Sequence, residues 1–309
     1  MDDSRETLAA PKVIGIRRLK EPMPTPLKTR VFTVANQKGG VGKTTTAVNI
    51  AAALAMGGLK VLVIDLDPQG NACTALGIDR EELDGMYEVL VNDVALADVV
   101  TKVAGFPHLE CAPADVSLAG AEINMVSFVS REGRLKLALD KFLALREAQG
   151  ARLDYVIIDC PPSLGLLTVN ALTSAEEVLV PIQCEYYSLE GLSLLLKTLD
   201  QVKQMLNQRV RISTIVLTMF DSRTRLANDV ANSVRQHFPK ELIDVPIPRA
   251  VRISEAPSFN QTVMTYDASS PGAVAYMTVA REIARRGAGE ATPNTNLLNS
   301  EINKGAHTA

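Results

Sequence analysis

Four cysteines in 309 residues, Cys73, Cys111, Cys160 and Cys184, stand 38, 49 and 24 residues apart. That spacing matches no zinc or iron–sulfur ligand pattern and is too sparse for a disulfide scaffold, so it fits a reducing cytoplasm. Histidine is scarcer still: His108, His237 and His307 occupy dissimilar contexts, and no nucleophile–base or metal triad can be assembled from them. No apolar run nears the roughly 18–20 residues that cross a bilayer, and the N-terminus, with Asp2, Asp3, Arg5 and Glu6, lacks the apolar stretch of a signal peptide. An excess of one charge is also missing. Lys plus Arg total 32 against 35 for Asp plus Glu, which excludes a uniformly basic nucleic-acid coat while leaving room for a local patch.

What is present is enough chain for one large core, with a hydrophobic content of 47%. Near-continuous apolar runs at 31–36 (VFTVAN), 60–66 (KVLVIDL), 155–161 (YVIIDCP), 177–183 (EVLVPIQ) and 212–220 (ISTIVLTMF) predict strands covered on both faces. Helical patterns fill 44–57, 131–148, 165–175, 188–208, 224–238 and 272–286. The alternation predicts a doubly wound α/β fold: a mostly parallel sheet with helices on both faces, in a single domain over 31–286. Residues 1–30, with four prolines and no periodicity, read as a disordered N-terminal arm, and the polar stretch 287–309 as a disordered C-terminal tail. Basic residues of the arm, Arg17, Arg18, Lys20, Lys28 and Arg30, read as a solvated tail. Residues 79–130 carry no clear pattern.

Charge is unevenly spread. From Val61 to Ser130 there are 12 acidic and 2 basic residues, whereas Lys203 to Arg252 holds 9 basic and 4 acidic. Such clusters ordinarily solvate helix faces.

The segment VFTVANQKGGVGKTTTAVNIAAALA is strand, glycine-rich loop, then helix, the context of a phosphate-binding loop. Gly39, Gly40 and Gly42 let the backbone bend around Val41 so that successive N–H groups converge on phosphate oxygens. Lys43 supplies a point charge, the Thr44 hydroxyl a Mg²⁺ ligand, and Thr45 continues the cradle into the helix. The ordinary loop pattern would place glycine at 37, where Gln37 stands, followed by a second lysine, Lys38. Further on, Asp65 and Asp67 end one buried strand, where carboxylates are costly unless a metal or water offsets their desolvation. Asp67 is positioned to orient an attacking water or contact Mg²⁺, and Asp159 closes another strand, the place of the metal-holding acid. Strand ends bearing such groups converge on the crevice of an open α/β sheet.

With KGGVGKTT, DLDPQGN and IIDCPPSLG in this order, the chain resembles the ParA/Soj chromosome-partitioning ATPases, the deviant Walker-A class of P-loop NTPases that also includes MinD. LVPIQCEYYSLEGL (179–192), TMFDSRT (218–224) and IPRAVRISEAPSF (247–259) extend the likeness. The resemblance implies an ATP- and Mg²⁺-dependent switch with slow, partner-stimulated hydrolysis. Lys38 corresponds to the lysine that reaches the partner subunit's nucleotide in an ATP-bound homodimer, and Lys43 and Thr44 to the loop lysine and metal ligand. Asp67 corresponds to the carboxylate needed for hydrolysis and Asp159 to the second metal acid. The resemblance also implies nonspecific double-stranded DNA binding through Arg223 and Arg252, with Arg225 and Arg249 in the same basic stretch. A ParB-type partner and a cytoplasmic, nucleoid-associated, membrane-free location follow from it as well. Met219 and Pro248, after late strands, are placed beside the adenine.

Departures narrow the expectation. About thirty-five residues precede the loop, too few for the helix-turn-helix of plasmid ParA proteins, and the tail lacks MinD's basic amphipathic helix. A positioning ATPase for a division site, chemoreceptor or carboxysome is the alternative, and a metabolic P-loop ligase such as a cobyrinate amidase a more distant one.

Overall fold

The computed structural model describes residues 22–80, 83–185 and 188–289. Eight strands, β1 (Arg30–Val34), β2 (Val61–Asp65), β3 (Thr101–Lys102), β4 (Leu109–Ala112), β5 (Tyr155–Asp159), β6 (Glu177–Gln183), β7 (Arg211–Thr218) and β8 (Leu242–Ile243), form one sheet. Their order is β3-β4-β2-β5-β1-β6-β7-β8. Every pairing is parallel except that of β3 with β4. This is the expected doubly wound α/β architecture of a single domain.

Strand side chains alternate between two cores, because successive residues of a strand face opposite ways. On β2, Val61 and Val63 pack with Ile50 and Leu54 of helix Lys43–Met56 and with Val279 and Ile283 of helix Pro271–Gly287. Leu62 and Ile64 turn to the other face, against Leu135, Leu139 and Phe142 of helix Arg134–Ala148. On that second face Val178, Val180 and Ile182 of β6 meet Leu192, Leu195 and Leu199 of helix Ser188–Met205 and Val230 and Val234 of helix Arg225–His237. Helix Lys43–Met56 is sandwiched between sheet and C-terminal helix, and Ala47, Ala51, Ala52 and Ala53, all with 0% exposure, give it the thin profile that position needs.

β1 lies at the centre, between β5 and β6, and the register pairs Val34 with Asp159 and Asp65 with Asp159. The carboxyl ends of β1, β2 and β5 therefore stop at one level, where an open parallel sheet makes its crevice. Helix Leu166–Ser174 follows β5 and is tied back to β1 by Thr33, whose hydroxyl donates to the Ala171 carbonyl at 2.9 Å.

Several elements differ from the sequence reading. β3, β4 and β8 carry no period of their own; β3 and β8 are two residues each, held by the strand beside them. Within the patternless region, residues 83–130 form short helices, Met86–Val91, Leu96–Val99 and Ala121–Asn124, around the β3–β4 pair, while residues 81–82 lie outside the described residues. The first strand starts at Arg30, and Met23 is buried with its N–H donating to Gly57 O at 3.0 Å, so the part of the expected arm from residue 22 onward lies along the domain. Residues 1–21 of that arm, including Arg17, Arg18 and Lys20, and residues 290–309 of the tail lie outside the described residues. Arg30 is not a solvated tail residue. Its guanidinium grips Glu177 at 2.7 and 2.6 Å, donates to Ile283 O at 2.8 Å and lies over the Phe32 ring.

Candidate nucleotide and nucleic-acid sites

The loop after β1 turns on two left-handed glycines, Gly40 at φ 73 and Gly42 at φ 83, conformations that a side chain disfavours by about 1–2 kcal/mol. Gly42 O then accepts the first helical bond, from Thr46 N at 2.8 Å. Helix Lys43–Met56 has no side-chain cap and no acidic residue in its first turn. Its leading N–H groups, which in most helices find a capping oxygen, are left for an external anion. Outside the loop, Thr218 on β7 donates its hydroxyl to Val41 O at 2.8 Å and Asn36 anchors to Pro181 O of β6 at 2.8 Å, so the cradle is braced from the two strands that follow β1 in the sheet.

Lys43 is 7% exposed and its Nζ donates to Lys38 O at 3.3 Å. Burial lowers its pKa, while the charges of Asp159 and Asp67 act in the opposite sense. Both oxygens of Asp159 are buried without a hydrogen-bond partner. Burial first, then the Asp65 charge, holds this carboxyl well above the usual range, against the nearby Thr44 hydroxyl and Lys43. Asp65 is pushed up to about 6, chiefly by burial, although it accepts from Cys73 Sγ at 3.2 Å and from Cys73 N and Asp67 N, each at 3.1 Å. Asp65 thus serves the turn after β2, while Asp67, 7% exposed, accepts from Gln69 N at 3.0 Å.

The residues present fit a magnesium nucleotide. Among the described residues no three His, Cys, Asp or Glu side chains gather to hold a metal alone. Mg²⁺ ordinarily keeps several waters and uses one or two carboxylates together with phosphate oxygens. Thr44, Asp67 and the partnerless Asp159 supply that kind of donor set around Lys43.

Of the two residues expected beside the adenine, Met219 lies next to the loop. Met219 has φ 50, and its Cε would lie 4.0 Å from a Cβ at Gly42. Pro248 bridges Phe220, whose N–H donates to Ile247 O at 2.9 Å.

The four arginines are all exposed, each with an acidic neighbour. Arg223, 87% exposed, clasps Asp221 with bonds of 2.9 and 2.7 Å, and these bonds hold the Asp221 pKa down at about 2, with Arg249 also nearby. Arg225, 96% exposed, is 3.9 Å from Asp229. Arg249 is 3.8 Å from Glu185. Arg252 lies over the Tyr266 ring, 3.2 Å from Glu255 and 3.7 Å from Asp267. Arg223 therefore answers to Asp221 and Arg249 to Glu185, whereas Arg225 and Arg252 answer to carboxylates elsewhere.

Three residues escaped the sequence reading. Glu185 takes Lys38 Nζ at 2.9 Å. Arg80 donates to Pro68 O at 2.9 Å and lies against Gly70, a left-handed glycine whose Cβ would overlap the guanidinium. Glu122 accepts from Leu167 N at 3.0 Å, capping the helix after β5. Glu185 and Glu122 act across 147 and 45 residues of chain, and only Glu185 lies in a motif that the sequence singled out.

Residues 29–212 match the AAA domain family. The chain is 47% identical over 259 residues to the sporulation initiation inhibitor protein Soj of Bacillus subtilis, covering 84% of this chain and 99% of that protein. It is 47% identical over 258 residues to the chromosome partitioning protein ParA of Myxococcus xanthus, covering 83% and 88%. Among solved structures, the cobyrinic acid a,c-diamide synthase of Mycobacterium smegmatis with bound ADP and magnesium superimposes with a TM-score of 0.70 at 38% identity, over 84% of this chain and 95% of that one. The same enzyme has also been solved with an ATP analogue and magnesium.

Proposed function

Since the chain belongs to the ParA/Soj family of chromosome-partitioning ATPases, we propose that it is a nucleotide-gated DNA-segregation switch using ATP and Mg²⁺. ATP is held by Lys43 and the N–H groups of Gly39 to Thr45, with Met219 and Pro248 at its adenine. Thr44, Asp67 and Asp159 hold the metal, which supplies charge neutralisation at the phosphates when bound. Asp67 orients the attacking water, and the absence of a stronger base nearby keeps turnover slow until a ParB-type partner stimulates it. ATP binding closes two subunits, with Lys38 reaching the partner's nucleotide and water excluded between the faces. The dimer then presents Arg223 and Arg252, with Arg249 and Arg225, to the phosphates of nonspecific duplex DNA on the nucleoid.

The observation that carries this reading is the direction of Lys38. Its main chain belongs to the cradle, yet its ammonium leaves the loop for Glu185, which suits a lysine whose phosphate lies elsewhere. The test is binding of the full chain to a nonspecific duplex with ATP, ADP or no nucleotide across a salt series. Salt-sensitive binding confined to the ATP state supports the switch. Equal binding in all three states, or none, refutes it.

A second reading, synthesis of an amide on a corrinoid, rests on the 38% identical synthase structure. Drawing ammonia from glutamine calls for a reactive thiolate, and here all four cysteines are buried, with Cys111, Cys160 and Cys184 pushed up in pKa. ATP consumption that depends on cobyrinic acid, without DNA binding, would favour this second reading.

A further inference from the structure

We propose that Glu185 is the positioning residue that parks Lys38 in the single subunit and sets how readily it is released toward a partner subunit. The proposal rests on the Lys38 reading above. The Lys38 main chain is fixed in the loop: its N–H donates to Asn36 Oδ1 at 3.0 Å, and its carbonyl accepts from Lys43 Nζ at 3.3 Å. Only the side chain is free to choose a partner, and it meets Glu185 Oε2 at 2.9 Å.

Glu185 is prepared for that contact. It stands two residues past β6, its N–H donates to Gln183 O at 2.8 Å, and Oε1 accepts from Gln183 Nε2 at 2.6 Å. Arg249 stands 3.8 Å from the same Oε1, so the carboxylate is held from one side while its second oxygen faces Lys38. Further along, a Cβ at Gly191 would lie 3.2 Å from Asn36 Oδ1 and 3.6 Å from Lys38 Cβ. Glu185 and Gly191 thus both lie against the first half of the phosphate loop.

On the reading above, the Lys38 ammonium is drawn off its own Glu185 as it turns to the nucleotide of the partner subunit. Each Lys38 that reaches a partner's nucleotide leaves one Glu185 behind, so forming the dimer breaks two such pairs. The pair is only part-buried, with side-chain exposures of 25% and 47%. A pair of that kind shifts an equilibrium about twofold to fivefold, and two compound to about fourfold to twenty-fivefold.

The experiment compares the full chain with Glu185→Gln and Glu185→Asp, using a nonhydrolysable ATP analogue with Mg²⁺ and sedimentation velocity. Glu185→Gln is expected to tighten dimerisation about fourfold to twenty-fivefold, with Glu185→Asp closer to wild type. A second readout is acylation of Lys38 in the nucleotide-free protein, followed by peptide mass spectrometry, where Glu185→Gln is expected to react several-fold faster. Unchanged dimerisation together with unchanged Lys38 reactivity overturns the proposal. A wild type that stays monomeric with the analogue overturns the Lys38 reading itself, and the parking role with it. If Glu185→Gln does not fold, Lys38 acylation in wild type across a salt series decides, because salt screens the pair. Reactivity that rises with salt supports parking, and a flat response overturns it.

Discussion

Asp159→Asn is expected to make the empty protein more stable and the nucleotide-bound protein less so. Both Asp159 oxygens are buried with no hydrogen-bond partner, and the nearest carboxylate across the sheet register is Asp65. An unsatisfied buried polar group costs about 1–3 kcal/mol, more when charged. The amide removes the charge and places a donor beside Asp65 in nearly the same volume. A gain of about 1–3 kcal/mol corresponds to a Tm rise of roughly 2–10 °C for a domain of this size. The pH dependence fixes the cause. Folded Asp159 lies well above the ordinary Asp range, and an unfolded Asp titrates near ~3.9. Its contribution to stability is therefore full below that unfolded value and is lost as pH rises through the folded pKa. The gap between variant and wild type should close toward acid pH and widen as pH rises. Differential scanning fluorimetry without nucleotide, from acid to neutral pH, measures it, and a parallel series with Mg²⁺ and an ATP analogue should show a smaller ligand-induced shift in the variant. A variant no more stable than wild type at neutral pH, or a gap that grows toward acid, would refute the reasoning.

Four other outcomes follow from single contacts. Arg30→Ala leaves Glu177 buried without its partner, where the side-chain exposures are 12% and 8%, and should cost about 3–5 kcal/mol of unfolding free energy in a denaturant titration. Gly42→Ala meets no clash, the nearest atoms being 4.0 Å away, but must hold φ 83; the strain of about 1–2 kcal/mol should appear as roughly tenfold weaker binding of a fluorescent ATP analogue. Gly70→Ala overlaps the Arg80 guanidinium and should slow ATP hydrolysis more than it weakens ATP binding, compared by kcat and Kd. Arg252→Ala and Arg223→Ala should each lower the slope of log affinity against log salt for nonspecific duplex by about 1, and an unchanged slope would remove that residue from the interface.

The phosphate loop was legible in the sequence because its cause is local. Glycines at positions of positive φ, a lysine and a hydroxyl at fixed offsets, and a strand before a helix all lie within one window. Asp159 was legible for a related reason, since a carboxylate ending an all-apolar strand stands out. Arg30 was misread because nothing in PMPTPLKTR shows that its partner, Glu177, waits 147 residues away on β6. The pair Lys38–Glu185, also 147 residues apart, is a tertiary contact of the same kind, created by strand order. β3 and β8 are too short to have a period and exist through their ladder bonds to β4 and β7. The exposed arginines were located, but their acidic partners were not, because loop geometry decides which carboxylate each one meets.

Those partners bear on how such a site can switch. Without ligand, Asp65 and Asp159 sit at adjacent strand ends with Asp67 just beyond, and Lys43 is the buried cation among them. Burial raises the pKa of the first two carboxyls and lowers that of the lysine, so the empty site is electrostatically unfavourable on both sides of its charge balance. A bound magnesium nucleotide would relieve both, with Lys43 and the helix N–H groups to hold its phosphates and the carboxylates to hold its metal. Ligand binding then stabilises the fold by more than its contacts alone would suggest, since it also removes a standing cost. At the rim the logic reverses. Lys38, Arg223, Arg249 and Arg252 are each satisfied by a carboxylate in the single subunit, so moving any of them to an outside phosphate exchanges one ion pair for another. An exposed exchange of that sort has a small net free energy and stays reversible, whereas the buried centre supplies the large term. The proposed switch would then take its driving force from the nucleotide and leave its outer cations to be traded for a partner subunit or for DNA.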